Sequence, residues 1–177
     1  MKEQIDRSMR MLSQALEMEE KGRAFYEKAA AACRSEPGKE IFLTLMEDEV
    51  VHMKRIKAIY ESLGGRRAWT GDWKTYAIGH SGLTTIFREM ARRYGADIQA
   101  DAGDIEALDI GIDFEKKSID HYRKHVSTAS DKLEKAFIEQ MIAEERDHFA
   151  ALSDMKLYLS DPASWLRERE HGGLDGG

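Results

Sequence analysis

The 177-residue chain carries 27 Lys and Arg against 33 Asp and Glu, a formal net charge of −6. A chain of this length ordinarily folds as one domain with a substantial core, and its acidity argues against a nucleic-acid partner, whose contact face would be basic. No apolar run approaches the ~20 residues that span a bilayer, and the start Met1-Lys2-Glu3-Gln4 is charged and lacks an apolar signal core. The expectation is a soluble, cytoplasmic protein without nucleic-acid or membrane partners. A single cysteine, Cys33, excludes an internal disulfide and an all-cysteine metal site. It lies on an Ala-rich helical run and reads as a small buried side chain.

Only two prolines interrupt a sequence rich in Ala, Leu, Met, Glu, Lys and Arg, a composition that favours helix. The first helix is predicted over about 3–34, with Ile5, Met9, Leu12, Ala15, Leu16, Gly22, Tyr26 and Ala29 on one face. Glu19 falls on that face. Ser35-Glu36-Pro37-Gly38 breaks the run and starts a new helix, Pro37 suiting its first turn. The second helix is predicted over about 37–63. Its inner face reads Phe42, Leu45, Glu49, His52, Ile56, Ile59, Leu63, so an acid and an imidazole sit in an apolar seam. Gly64-Gly65 is expected to end it in the left-handed conformation.

The stretch from about 64 to 103 is a glycine-punctuated connector with Trp69, Trp73 and Tyr76 scattered through it and a short helix near 84–94. A connector this long inside a compact domain suggests a crossover running the length of a bundle. The third helix is predicted over about 104–126, with the inner face Leu108, Gly111, Ile112, Glu115, Ser118, Ile119, Tyr122. After the polar turn Ser127–Asp131 the fourth helix continues to about Leu159, with the face Ile138, Met141, Glu145, His148, Leu152, Met155, Leu159. Asp161-Pro162 stops it. Residues 162–170 form a short terminal helix, and the tail from His171 to Gly177 is expected to be mobile.

The two halves repeat. Glu49-x-x-His52 and Glu145-x-x-His148 lie 96 residues apart, and the same offset carries Leu12 onto Leu108, Glu19 onto Glu115, Tyr26 onto Tyr122 and Leu63 onto Leu159. The offset also separates neighbours. Glu20 maps to Lys116 and points about 100° away from the seam, so Glu19 is taken as the functional acid. Glu168 and His171 form a third Glu-x-x-His without a repeat mate, and this is read as chance.

Residues i and i+3 share a helix face, so each Glu-x-x-His presents an oxygen and a nitrogen to one point. Isolated buried carboxylates are costly, and several in one seam call for cations. Two divalent metals held by Glu19, Glu49, His52, Glu115, Glu145 and His148 would supply them. Inward Glu residues on two helices and a Glu-x-x-His on each of the other two form the ligand pattern of di-iron carboxylate bundles. His125, past Tyr122 on the inner side, is left between a place behind the ligands and a capping or half-exposed one. His80 and His121 receive no role.

At these residues the chain resembles the rubrerythrin branch of the ferritin-like superfamily, above all in Glu19-Glu20-Lys21-Gly22-Arg23-Ala24-Phe25-Tyr26. The resemblance implies an all-α, ferritin-like four-helix bundle made of two duplicated hairpins (about 3–63 and 104–160), a long crossover and a short C-terminal helix. It implies two iron ions, bridged by Glu49 and Glu145, with Glu19 and His52 on one and Glu115 and His148 on the other; Zn or Mn are other possible occupants. Tyr26 and Tyr122 would hydrogen-bond ligand carboxylates from behind. Implied partners are O2 or hydrogen peroxide, a rubredoxin-type electron donor and a second copy of the chain in a dimer.

Two departures stand out. Full-length rubrerythrins carry a four-cysteine rubredoxin domain, whereas Cys33 is alone, so electrons would come from outside the chain. Peroxidase-type rubrerythrins add a Glu three residues after the third-helix ligand, where this chain has Ser118, which points to a symmetric oxidase or ferroxidase centre. Iron storage, or a Zn-filled structural bundle without turnover, are the other readings of the same residues.

Overall fold

The computed structural model describes residues 2–66, 68–96, 98 and 100–171, the last two of these without their side chains. The described residues form α1 (Lys2–Ala32), α2 (Glu36–Gly65), a 3-10 turn (Asp72–Thr75), α3 (Leu83–Tyr94), α4 (Ala102–Val126), α5 (Lys132–Ser160) and α6 (Pro162–His171), with no strand among them. None of these helices is long and apolar enough to cross a membrane. The side chain of His171, and with it the pair Glu168–His171, lies outside the described residues, as does the tail from 172 to 177.

Capping groups start the helices. Ser35 accepts from the Gly38 amide at the start of α2, and Pro37 sits in the first turn, where its missing N–H costs nothing. Asp101 and Asp104 form a reciprocal capping box on α4. Asp131 accepts from the amides of Leu133 and Glu134 at the start of α5. The expected left-handed stop at Gly64-Gly65 does not occur. Both glycines stay helical, and α2 closes with the Arg66 amide on the Ser62 carbonyl. Beyond that point Trp69 and Trp73 pack against Phe137 of α5, and the Ser62 hydroxyl holds the Ala68 carbonyl. Burial of the two indoles sets the chain's direction there, so no left-handed turn is needed. Cys33 lies just past the end of α1 rather than within it.

α1 packs along α2, and α4 along α5. Tyr26 reaches Glu115, and Tyr122 reaches Glu19. Rising numbers in α1 therefore meet falling numbers in α4, and the two are antiparallel. α2 and α4 then run parallel, which is why a crossover must return the chain to the starting end. That crossover lies along α5: Trp69 and Trp73 sit at Phe137, Leu83 at Asp147, and Gly95 at Tyr158. α6 folds back so that Trp165 packs on Phe87 and Tyr158.

The apolar core is in two parts. One contains Tyr26, Phe42, Leu45, Leu108, Leu152 and Met155; the other contains Leu12, Ile56, Ile59, Tyr122, Phe137 and Met141. On every bundle helix the acids and imidazoles of the repeat fall between these two parts, midway along the bundle. The seam phase explains this, because each acid or imidazole occupies a core step between apolar neighbours.

Candidate metal centre

The structure brings Glu19, Glu49, His52, Glu115, Glu145 and His148 into one cluster, each at most 4% exposed. Ligand atoms of Glu19, Glu49 and His52 lie within 4.8 Å of one another, and so do those of Glu49, Glu115, Glu145 and His148. Glu49 belongs to both groups. Glu145 also spans them, with Oε1 3.5 Å from His52 Nδ1 and Oε2 3.5 Å from His148 Nδ1. The two imidazoles stack with ring centroids 5.5 Å apart. Glu20, by contrast, is exposed.

Each imidazole turns Nδ1 inward and Nε2 outward. His52 Nε2 lies 3.1 Å from Glu144, and His148 Nε2 lies 3.0 Å from Asp48. These outer carboxylates accept the Nε2 proton, which leaves the Nδ1 lone pair directed at the cluster. Glu144 is itself held by Arg55 and by Gln140 at 2.8 Å. Burial pushes its carboxyl up, but hydrogen bonds from His52, Arg55 and Gln140 outweigh that and hold it at about 2. Asp48 is held by His80 Nε2 at 2.9 Å. The Gly82 amide donates to His80 Nδ1, which puts the His80 proton on Nε2, where it faces Asp48.

Asp48 and Glu144 were not singled out from the sequence, although they stand at the same 96-residue offset as the inner residues. Arg55 and the previously unassigned His80 were missed as well. The tyrosines lie behind the cluster in swapped fashion: Tyr26 of α1 donates to Glu115 of α4, and Tyr122 of α4 donates to Glu19 of α1 at 2.9 Å. Gly22 allows Glu49 its position, since a Cβ there would lie 3.1 Å from Glu49 Oε1. Ser118, its repeat mate, is half-buried. His121 is committed to the Met11 carbonyl and lies against His125 with the rings tilted, and His125 is half-buried at the end of α4.

The donor set is what a cation pair would need. Glu49 Oε2, both Glu145 oxygens and His148 Nδ1 are buried without a hydrogen-bond partner among the described residues. Such orphans are costly unless something binds them. Burial, then neighbouring carboxylates, push the Glu49 carboxyl up, and burial with the Glu145 charge raises that of Glu115 to about 8. Burial opposes charge on His52 and His148, but the surrounding carboxylates outweigh it and raise both imidazoles. Glu145 moves the other way, because the two imidazoles that face it, His148 and His52, outweigh its burial. Without metal, Glu49, Glu115, His52 and His148 therefore hold protons more tightly than free side chains do. Divalent ions would compete with these protons for the same atoms and supply the positive charge that four buried carboxylates call for.

A family model described as Rubrerythrin matches residues 10–156, a span containing all six inward residues. No curated protein and no solved structure matches the chain. A buried carboxylate and histidine set of this composition suits a di-iron site.

Proposed function

The chain belongs to the rubrerythrin family, and from that premise we propose that Glu19, Glu49, His52, Glu115, Glu145 and His148 bind two iron ions that O2 or hydrogen peroxide oxidises. The observation that carries this reading is the sharing of Glu49 between two ligand groups while Glu145 turns one oxygen to each imidazole. On this reading Glu19 and His52 would hold one ion, Glu115 and His148 would hold the other, and Glu49 and Glu145 would serve both.

A bound iron pair supplies two electrons at one place, enough to take hydrogen peroxide to water or O2 to the peroxide level. The protein's part is to hold and insulate. The four carboxylates favour the more highly charged oxidised pair. The apolar segments on either side keep bulk water out, so these charges act in a weakly screening interior. The hydroxyls of Tyr26 and Tyr122 fix one oxygen each of Glu115 and Glu19. Glu144 and Asp48 keep both imidazoles in the tautomer that offers Nδ1. With Ser118 where a seventh carboxylate would stand, the two positions have matching donor sets, which favours an oxidase or ferroxidase over a peroxidase. The single cysteine among these 177 residues cannot form a four-thiolate iron site, so the electrons come from a site outside them.

Anaerobic addition of Fe(II) should saturate at about two ions per chain. Oxidant should then produce near-ultraviolet ferric absorption. Glu49→Ala and His148→Ala variants that bind and oxidise iron as the parent does would overturn the assignment. Protein from native cells holding only zinc would overturn the redox reading and leave the ligand set standing.

A further inference from the structure

The duplicated hairpins make the inner ligands symmetric, but there is only one crossover, and it treats the two metal positions differently. On the His52 side, Glu144 is clamped by Arg55, whose guanidinium also donates to the Tyr76 carbonyl of the crossover at 2.7 Å. Arg55 is 4% exposed and His52 fully buried. On the His148 side the corresponding carboxylate, Asp48, is held by an imidazole of the crossover itself, His80. Beside it a cavity of about 310 Å3 opens between crossover residues 78–85 and α5, with Glu144, Asp147 and His148 on its inner wall. His80, Ser81 and Thr85 line its crossover side, and the space is ample for a small cation with its water. Of the two inward imidazoles, only His148 borders this opening.

We propose that the divalent ion at the His148 position exchanges with solvent through this cavity, with His80 acting through Asp48 as the positioning residue that keeps the route closed, while the ion at the His52 position is kinetically trapped behind Arg55 and Glu144. The proposal rests on the dinuclear reading above and adds an inequivalence that the symmetric ligand set does not contain. Asp147 contributes by anchoring the crossover rather than by binding the ion, since its carboxylate already accepts from the Leu83 amide and the Thr84 hydroxyl.

The test uses the full chain loaded with Zn(II), with release followed by a colorimetric chelator. Two phases of equal amplitude are expected, one ion in each. Thr85→Trp places an indole in the cavity from an exposed position, where folding tolerates it. It should slow the fast phase about 10-fold or more and leave the slow phase unchanged. His80→Ala should speed the fast phase by about 10-fold or more, and His80→Gln, which keeps a donor toward Asp48, should restore the parent rate. A single release rate for both ions, or no response to Thr85→Trp, overturns the proposal while leaving the dinuclear reading intact. Failure of the parent chain to hold a second zinc ion overturns both.

Discussion

Removing the metal should leave a protein that loses stability as pH rises from 5 to 8. Glu115 is the group from which the size of the effect can be worked. Its carboxyl lies near 4.5 ordinarily and at about 8 in the fold, raised by burial and by the Glu145 charge. Between those two values the folded chain holds a proton that the unfolded chain has released. Stability therefore falls with rising pH across the window, by about 1.4 kcal/mol per pH unit while the difference is one full proton. From pH 5 to pH 8 this amounts to about 3–4 kcal/mol, since the slope fades as pH nears 8. For a chain of this size that is a melting-point drop of about 10 °C.

The other groups do not reverse the sign. Glu49, His52 and His148 are also raised, so each adds a loss as pH climbs through its folded value. Glu145 is depressed, so its contribution is already complete above 4.5 and is lost only in acid. Thermal melts followed by circular dichroism in the presence of chelator, at pH 5, 6, 7 and 8, measure the effect. Glu115→Gln should flatten the profile, because a neutral amide has no proton to lose. Melts with Zn(II) should slope the opposite way, as metal competes with protons for the same atoms. A metal-free melting point that is flat or rising across this range, or a Glu115→Gln profile as steep as the parent's, would refute the reasoning.

Zinc binding at pH 6 should release protons, read with an indicator dye, and Glu115→Gln should lower the number released, because the fold raises the proton affinity of Glu49, Glu115, His52 and His148. Gly22→Ala puts a Cβ 3.1 Å from Glu49 Oε1. It should weaken metal binding about 10-fold in a competition titration without lowering the metal-free melting point, since alanine favours the helix by ~1 kcal/mol. Tyr122→Phe removes the buried donor to Glu19 and should cost about 1–3 kcal/mol in denaturant unfolding, with a similar cost for Tyr26→Phe at the mirror position. The Cys33 thiol is pushed up to about 12 by burial and by the nearby Asp104 carboxylate. Its alkylation at pH 8 should run about 50-fold slower than that of a free thiol, the smaller thiolate fraction being partly offset by higher nucleophilicity.

The fold was readable because the core of a helical bundle is a periodic object. Steps of three and four placed Leu45, Glu49, His52 and Ile56 on one seam, and the same steps recurred at Met141, Glu145, His148 and Leu152. The phase also separated Glu19 from Glu20, which are buried and exposed respectively. That logic then concealed Asp48 and Glu144. Each precedes a seam acid by one residue and so points about 100° off the seam, as Glu20 does. Glu20 is turned to solvent, whereas Asp48 and Glu144 are turned to the facing imidazole across the α2–α5 contact. Which of the two flanks is covered depends on where the other hairpin lies, and one helix's periodicity does not contain that. The repeat did contain a signal, since both positions are acidic at the 96-residue offset.

The crossover was the least legible part for a related reason. It has no period, and its path is set by a few tertiary contacts: Trp69 and Trp73 on Phe137, Arg55 on the Tyr76 carbonyl, His80 on Asp48, and the start of α3 on Asp147. These contacts also explain its length. A bundle of two like hairpins would leave the α2–α5 face, with its outward imidazole nitrogens and outer carboxylates, open to water. Because α2 and α4 are parallel, the connecting chain must travel the length of the bundle, and here it does so over that face. It thus supplies the third layer of each imidazole's support, by a carbonyl acting through Arg55 on one side and by an imidazole on the other. A duplication can copy ligands, tyrosines and outer carboxylates, but the link between the copies occurs once. The symmetry of the centre is therefore broken from outside inward, in the layer farthest from the six inward residues.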